Sequence, residues 1–253
     1  MRHRAILWAC FFAVSVWVCA VVPLRAAAAL ITSLGVADSD QTGSETSSAI
    51  NTSGATLIAI FQGNYAGGSG TDAANAPTDN QGNTYTALTM RDGTAFGLNG
   101  RWYYKINPAT NASHTFTISS SGNMYECAHI SIFSGTGVFD QETGTNMSAS
   151  PGSLTPAEDN ELLVVGATWG DNDNGADLSA VSASFTAIGN SVPDTSPTFG
   201  CGAGYQVQTT ATARNPSVTL SNTDNITTAM AAFKVAAAAT GATGKPMLLG
   251  VGR

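Results

Sequence analysis

Short apolar runs bounded by Gly, Asn, Asp and Pro recur along the chain, and no segment keeps a helical apolar period for three turns. Such punctuation is what antiparallel strands leave in a sequence. The pattern predicts strands near residues 31–37, 56–63, 84–90, 100–107, 114–120, 125–134, 160–169, 183–189, 201–209, 216–221 and 227–236. His114 to Ser119 alternates cleanly, with Phe116 and Ile118 set toward a core. Between Arg101 and Ile106, period two places Trp102, Tyr104 and Ile106 on one face and Arg101, Tyr103 and Lys105 on the other.

The same runs echo one another at a spacing of roughly 100 residues. Leu57-Ile58-Ala59-Ile60 with Tyr65 is answered by Leu162-Leu163-Val164-Val165 with Trp169, and Tyr85-Thr86-Ala87-Leu88 by Phe185-Thr186-Ala187-Ile188. Phe116-Thr117-Ile118-Ser119 is answered by Val218-Thr219-Leu220-Ser221, and Ile132-Phe133 by Ala232-Phe233. The echoing stretches run from about Ala55 to Ser134 and from about Asn160 to Val235. Each carries few strands and needs a partner layer to bury its apolar face. The expectation is therefore an all-β domain over residues 30–236, a single two-sheet β-sandwich of jelly-roll type laid down as two pseudo-repeated halves. An immunoglobulin-like sandwich is the alternative.

The ends differ from the body. Arg2, His3 and Arg4 precede an uncharged apolar run from Ala5 to Val22, then Pro23 and Ala26-Ala27-Ala28-Ala29, which reads as an export signal over residues 1–29. An uncleaved anchor is the competing reading. Removing the leader takes away Arg2, Arg4 and Arg25, so the ten Lys+Arg become seven against seventeen Asp+Glu, a net of −10. That surface repels phosphate backbones, which argues against a nucleic-acid partner. No later segment is long and apolar enough to span a membrane, and residues 237–253 read as a flexible Ala/Gly-rich tail. The leader also carries Cys10 and Cys19, leaving Cys127 and Cys201, which an exported chain would join as a disulfide. Two buried thiols are the alternative.

Candidate chemistry is sparse. Asp79-Asn80-Gln81-Gly82-Asn83-Thr84-Tyr85 has the composition of a turn that fixes strand register. The loop holding Asp171, Asp173 and Asp177, with Asn172 and Asn174 between them, offers oxygen ligands of the kind Ca²⁺ takes, although it lacks the EF-hand spacing. A solvated acidic loop is the plainer reading. Tyr65 and Trp169, each where an apolar strand meets a polar loop, have the pairing of flat aromatic and Asp/Asn acceptors that suits a sugar face, with Asn172 and Asn174 as its polar partners. Covering the end of a core would need the same aromatics. The pairs Asp140 with Glu142 and Glu158 with Glu161 are what a polysaccharide hydrolase would draw on. No nucleophile elbow, zinc-protease helix or phosphate loop is present.

The Asp79–Tyr85 turn, Trp102-Tyr103-Tyr104, the Phe116-Thr117-Ile118 strand, Ile132-Phe133-Ser134-Gly135 and the closing Ala231-Ala232-Phe233-Lys234 resemble a loose group of exported bacterial β-sandwich proteins with no assigned reaction. The resemblance implies the fold and passes on no catalytic residue. The leading functional expectation is an exported, non-catalytic module for binding or display at a cell or particle surface, with glycan as ligand class and calcium as the one cofactor to test. A structural surface or virion component is the second expectation, and a polysaccharide hydrolase the third.

Overall fold

Leu57 to Phe61 is apolar without a break, where a strand with one wet face would alternate. The architecture accounts for it, because the central strands are covered on both sides. The computed structural model describes residues 27–38, 43–65, 75–93, 97–119, 124–170, 176–192, 199–222 and 224–236. The first half contributes β1 (Ala29–Asp38), β2 (Ser44–Thr46), β3 (Leu57–Tyr65), β4 (Thr78–Asp79), β5 (Thr86–Ala87), β6 (Arg91–Gly93), β7 (Leu98–Ile106), β8 (Phe116–Ser119) and β9 (Tyr125–Ser134). The second contributes β10 (Thr136–Thr145), β11 (Leu162–Gly170), β12 (Leu178–Val181), β13 (Thr186–Ser191), β14 (Gly200–Val207), β15 (Val218–Leu220) and β16 (Asn225–Val235). No helix occurs among the described residues.

Each half builds one large antiparallel sheet. The first has the order β1-β9-β3-β7-β5, with β6 also on β7, and the second has the order β10-β16-β11-β14-β13. Place by place, β1 answers β10, β9 answers β16, β3 answers β11, β7 answers β14 and β5 answers β13. The isolated bridges repeat as well, Ile50 with His114 and Leu154 with Arg214. The echo is thus a structural duplication. It reaches further than the sequence suggests, because β1 and β10 belong to it. Strand β10 is absent from the sequence-based strands. Its glycines and acidic residues hide it, and it sits at a sheet edge with two register shifts against β16.

The large sheets face one another around a shared interior that includes Phe61, Trp102, Phe133, Val164, Ala231 and Phe233. Across it, a Cβ on Gly166 of β11 would overlap the Phe61 ring, and a Cβ on Gly63 of β3 would overlap Thr168. The counterpart of Phe61 is therefore a glycine and the counterpart of Gly63 is a threonine, so the sheets interlock as knob and hole. Trp102 adds a polar tie, its indole N–H donating to the Ala229 carbonyl at 3.1 Å. Cys127 of β9 and Cys201 of β14 form a disulfide between the sheets, with Cα atoms 5.9 Å apart. The outer faces are apolar too. Sheet β2-β8-β4 places Phe116 and Ile118 over Ile58, Ile60 and Ile130 of the first large sheet. Sheet β12-β15 places Val181 and Val218 over Leu163, Val165 and Met230 of the second. The sandwich is all-β, and each facing layer carries a smaller cover. The chain enters β1 through Ala28, which is buried in the shared interior, and Ala29 pairs with Ser134.

Candidate functional site

Register decides which polar side chains meet. Leu57 lies opposite Phe133 and Leu162 opposite Phe233, so Asn64 corresponds to Trp169 and Tyr65 to Gly170. The echo of Tyr65 with Trp169 is one residue out, and in a strand one residue changes the face. Trp169 is fully buried under the second sheet's cover, and its indole N–H donates to the Ala176 carbonyl at 2.8 Å. Tyr65 turns the other way, toward the space between the large sheets, where it packs against the shared interior. The expected sugar platform of Tyr65 with Trp169 is therefore not formed.

Another aromatic pair stands at the end of β3. Tyr65 and Tyr125 are direct cross-strand partners, with ring centroids 6.4 Å apart and planes 15° from parallel. Phe199 stacks beneath Tyr65 at 6.1 Å. Both tyrosines are half-buried and form a rim. On the opposite face of the same strand ends runs a polar row, Asp38 of β1, Glu126 of β9, Asn64 of β3 and Asn99 of β7, each the register partner of the next. Asp92 of β6 extends it. Asp38, Glu126 and Asn99 are fully buried, and Asn64 is 2% exposed. One row inward lie Gln62 and Arg101, the latter with its guanidinium 5.6 Å from the Tyr103 ring. Burial pushes the Tyr103 phenol up, Arg101 works against that, and the Glu126 charge adds to it. In the second half the matching row is Ile226, Trp169 and Gly200. The fold itself does not demand polarity there, since its own duplicate is apolar. The signal in sequence was the interruption of apolar strands by Gln62, Asn64 and Glu126, and it gained meaning only with the register.

The turn after β4 is a clasp. The Asp79 carboxylate accepts bonds from the Gln81 N–H at 2.9 Å, the Asn83 N–H at 3.0 Å, the Asn83 amide at 2.8 Å and the Tyr85 hydroxyl. Burial alone would raise the Asp79 carboxyl, but these donors outweigh it and hold it below the usual range. Burial and the Asp79 carboxylate together push the Tyr85 phenol far up. His114 lies beside them, with Nε2 3.1 Å from Asp79 Oδ2 and Nδ1 2.9 Å from Thr52 Oγ1. Thr52, His114 and Asp79 follow the order of a nucleophile, its base and an orienting carboxylate, yet Thr52 and both the His114 and Asp79 side chains have no exposure. No substrate reaches such a hydroxyl. The geometry fixes the turn instead, and the Asn83 amide completes it by pairing with both the N–H and the carbonyl of Ala109.

Two cations pair with carboxylates elsewhere. Lys234 Nζ lies 3.3 Å from Asp140 and 3.6 Å from Glu158, and Arg91 lies 3.6 Å from Glu142. Glu161 accepts the Glu158 N–H at 2.7 Å. Burial raises Glu161, and the charge of the neighbouring Asp140 raises it further. His129 is buried between the sheets, its Nδ1 3.3 Å from Ser131 Oγ, and burial lowers it to about 4. Asp177 accepts the Asn190 amide at 2.8 Å. Asp171, Asn172, Asp173 and Asn174 lie outside the described residues, so the calcium loop is seen only at Asp177. Among the described residues no three His, Cys, Asp or Glu side chains converge as a metal site.

No protein-family model, no curated protein and no solved structure matches this chain. Among the described residues no helix is long and apolar enough to cross a membrane.

Proposed function

We propose that the chain is an exported, non-catalytic β-sandwich that binds at a cell or particle surface, and that its recognition site is the Tyr65–Tyr125 rim of the first half. The observation that carries this reading is the break in the duplication. At one end of β3 the first half combines two parallel aromatic rings with the row Asp38, Glu126, Asn64 and Asn99, where the second half has Gly170 and Asn225 for the rings and Trp169, Ile226 and Gly200 for the row. The half-buried tyrosines are the groups that meet a ligand, and the buried row holds their strand ends in place. Flat rings on a rigid scaffold suit the apolar face of a sugar, so glycan is the ligand class. The interlocked sheets and the disulfide support a rigid carrier, and a disulfide is at home in an oxidising compartment, which supports export. His114, His129, Asp79, Asp140, Glu142 and Glu158 are engaged in internal contacts, which favours binding over catalysis.

A glycan array on the leaderless protein tests this. Binding is expected, and Tyr65→Ala with Tyr125→Ala should weaken it at least tenfold while Trp169→Phe leaves it unchanged. An array without any hit, or a hit indifferent to both tyrosines, defeats the reading.

A further inference from the structure

The duplication is also incomplete at its smaller sheets. In the first half β8 is paired along both edges, by β4 and by β2, with Ser44 opposite Ser119, Glu45 opposite Ile118 and Thr46 opposite Thr117. Its counterpart β15 pairs with β12 along one edge. On the other edge, among the described residues, a single backbone bond forms, from the Val218 N–H to the Ala149 carbonyl at 2.8 Å. Beyond that bond the edge opens onto a groove of about 430 Å³, lined by Val218, Thr219, Leu220, Ser221, Asp224 and Ile226. Alternate residues of a strand offer their N–H and C=O to alternate edges. Val218 already points to Ala149, so Leu220 directs its N–H and C=O into the groove. The place that β2 fills against β8 stands open against β15.

We propose that residues 245–251 of a second copy of this chain add to the β15 edge as the missing strand. Lys245-Pro246-Met247-Leu248-Leu249-Gly250-Val251 supplies apolar side chains for Val218, Leu220 and Ile226, and puts its proline at the strand start, where a missing N–H is tolerated. Residues 237–253 contain Lys245 and Arg253 and no acidic residue, whereas the groove carries Asp224 on an acidic body. A second copy fits better than the same one. The chain leaves β16 at Val235, while the groove lies beside Ile226 near that strand's other end, about 30 Å away. The linker 236–244 reaches about 32 Å only when fully stretched, with nothing left for a path around the sheet. Addition of one copy's tail to the next copy's edge is a head-to-tail contact, which closes as a reciprocal dimer or a ring where the rotation between copies allows and otherwise grows as an open chain.

Light scattering after size exclusion, on the leaderless chain from micromolar to millimolar concentration, tests this. The mass should rise with concentration, and deletion of residues 237–253 should return it to monomer. Leu220→Pro, which removes the edge donor, and Leu248→Pro, which leaves the sequence of the sandwich strands unchanged, should each do the same. A tenfold excess of a synthetic peptide of residues 244–253 should disperse the assemblies. A full chain that stays monomeric throughout, or assemblies that survive the tail deletion or Leu248→Pro, overturn the proposal. A monomeric chain whose tail-deleted form binds the peptide would put the tail in its own groove and reject the second copy.

Discussion

Four donors converge on the Asp79 carboxylate, so its folded value lies below the ordinary 3.8. A depressed carboxyl contributes stability above the unfolded value and loses it as pH falls through the folded one. Asp79→Asn is therefore expected to cost about 2–3 kcal/mol at pH 7 in urea denaturation, with the gap to wild type narrowing as pH falls below the ordinary 3.8. An equal penalty on both sides of that value would mean that packing, and not charge, sets it. His129 has the same sign through a different cause. Burial lowers it to about 4, so between its ordinary 6.5 and 4 the unfolded chain takes up a proton that the native protein refuses. Stability should fall by roughly 3 kcal/mol across that window, and His129→Gln should flatten the slope there. Glu161 acts in the opposite direction, because a raised carboxyl weakens the fold as pH rises through its folded value. A pH titration of both variants separates these contributions. The Asp79 turn was legible in sequence because its donors lie within six residues of it. The row of Asp38, Glu126, Asn64 and Asn99 was not, because it exists only once four strands are in register.

Strands β3 and β11 descend from one pattern but have diverged where they touch. Phe61 fills the space left by Gly166, and Thr168 fills the space left by Gly63. Phe61→Ala should cost about 3–5 kcal/mol by opening a cavity, and Gly166→Leu should cost a comparable amount by overpacking against the ring. Together they move the knob from one sheet to the other. The double variant should then recover about 1–3 kcal/mol relative to the sum of the single changes. Strict additivity in chemical denaturation would mean that the two positions do not sense each other. This divergence also explains what the sequence hid. The strands showed plainly because central strands buried on both faces are apolar along most of their length, whereas β10, an edge strand with Gly137, Asp140, Glu142 and Gly144, looked like a loop. Matching Tyr65 with Trp169 aligned two aromatics by type, while the backbone aligns Leu57 with Leu162.

At the scale of the molecule, the halves hold together through one interior and one covalent link. Cys127 and Cys201 close a loop of 74 residues, for which the chain-entropy argument gives about 4 kcal/mol. Cys127→Ala with Cys201→Ala should lower the melting temperature by about 10 °C while leaving the far-ultraviolet strand signal unchanged. A loss of that signal would mean that the link is a condition of folding. The interior poses the harder question, whether a half can exist alone. Each half already has a large sheet and a cover, so its outer core is complete, but Phe61, Trp102, Phe133 and Cys127 of the first half, or Val164, Ala231 and Phe233 of the second, would then face water. A face of that kind is self-adhesive. The first half pairs poorly with itself, since two Phe61 rings would claim one space. The second half, with Gly166 at that point, leaves a void against its own copy. Expressed separately, residues 27–134 and 136–236 should each aggregate. Co-expressed, they should assemble as a soluble one-to-one complex joined by the Cys127–Cys201 link, seen as a single band that separates into two on reduction. Soluble, monomeric halves with sharp melting transitions would show that the facing layers are separate folds and that their interlock is incidental.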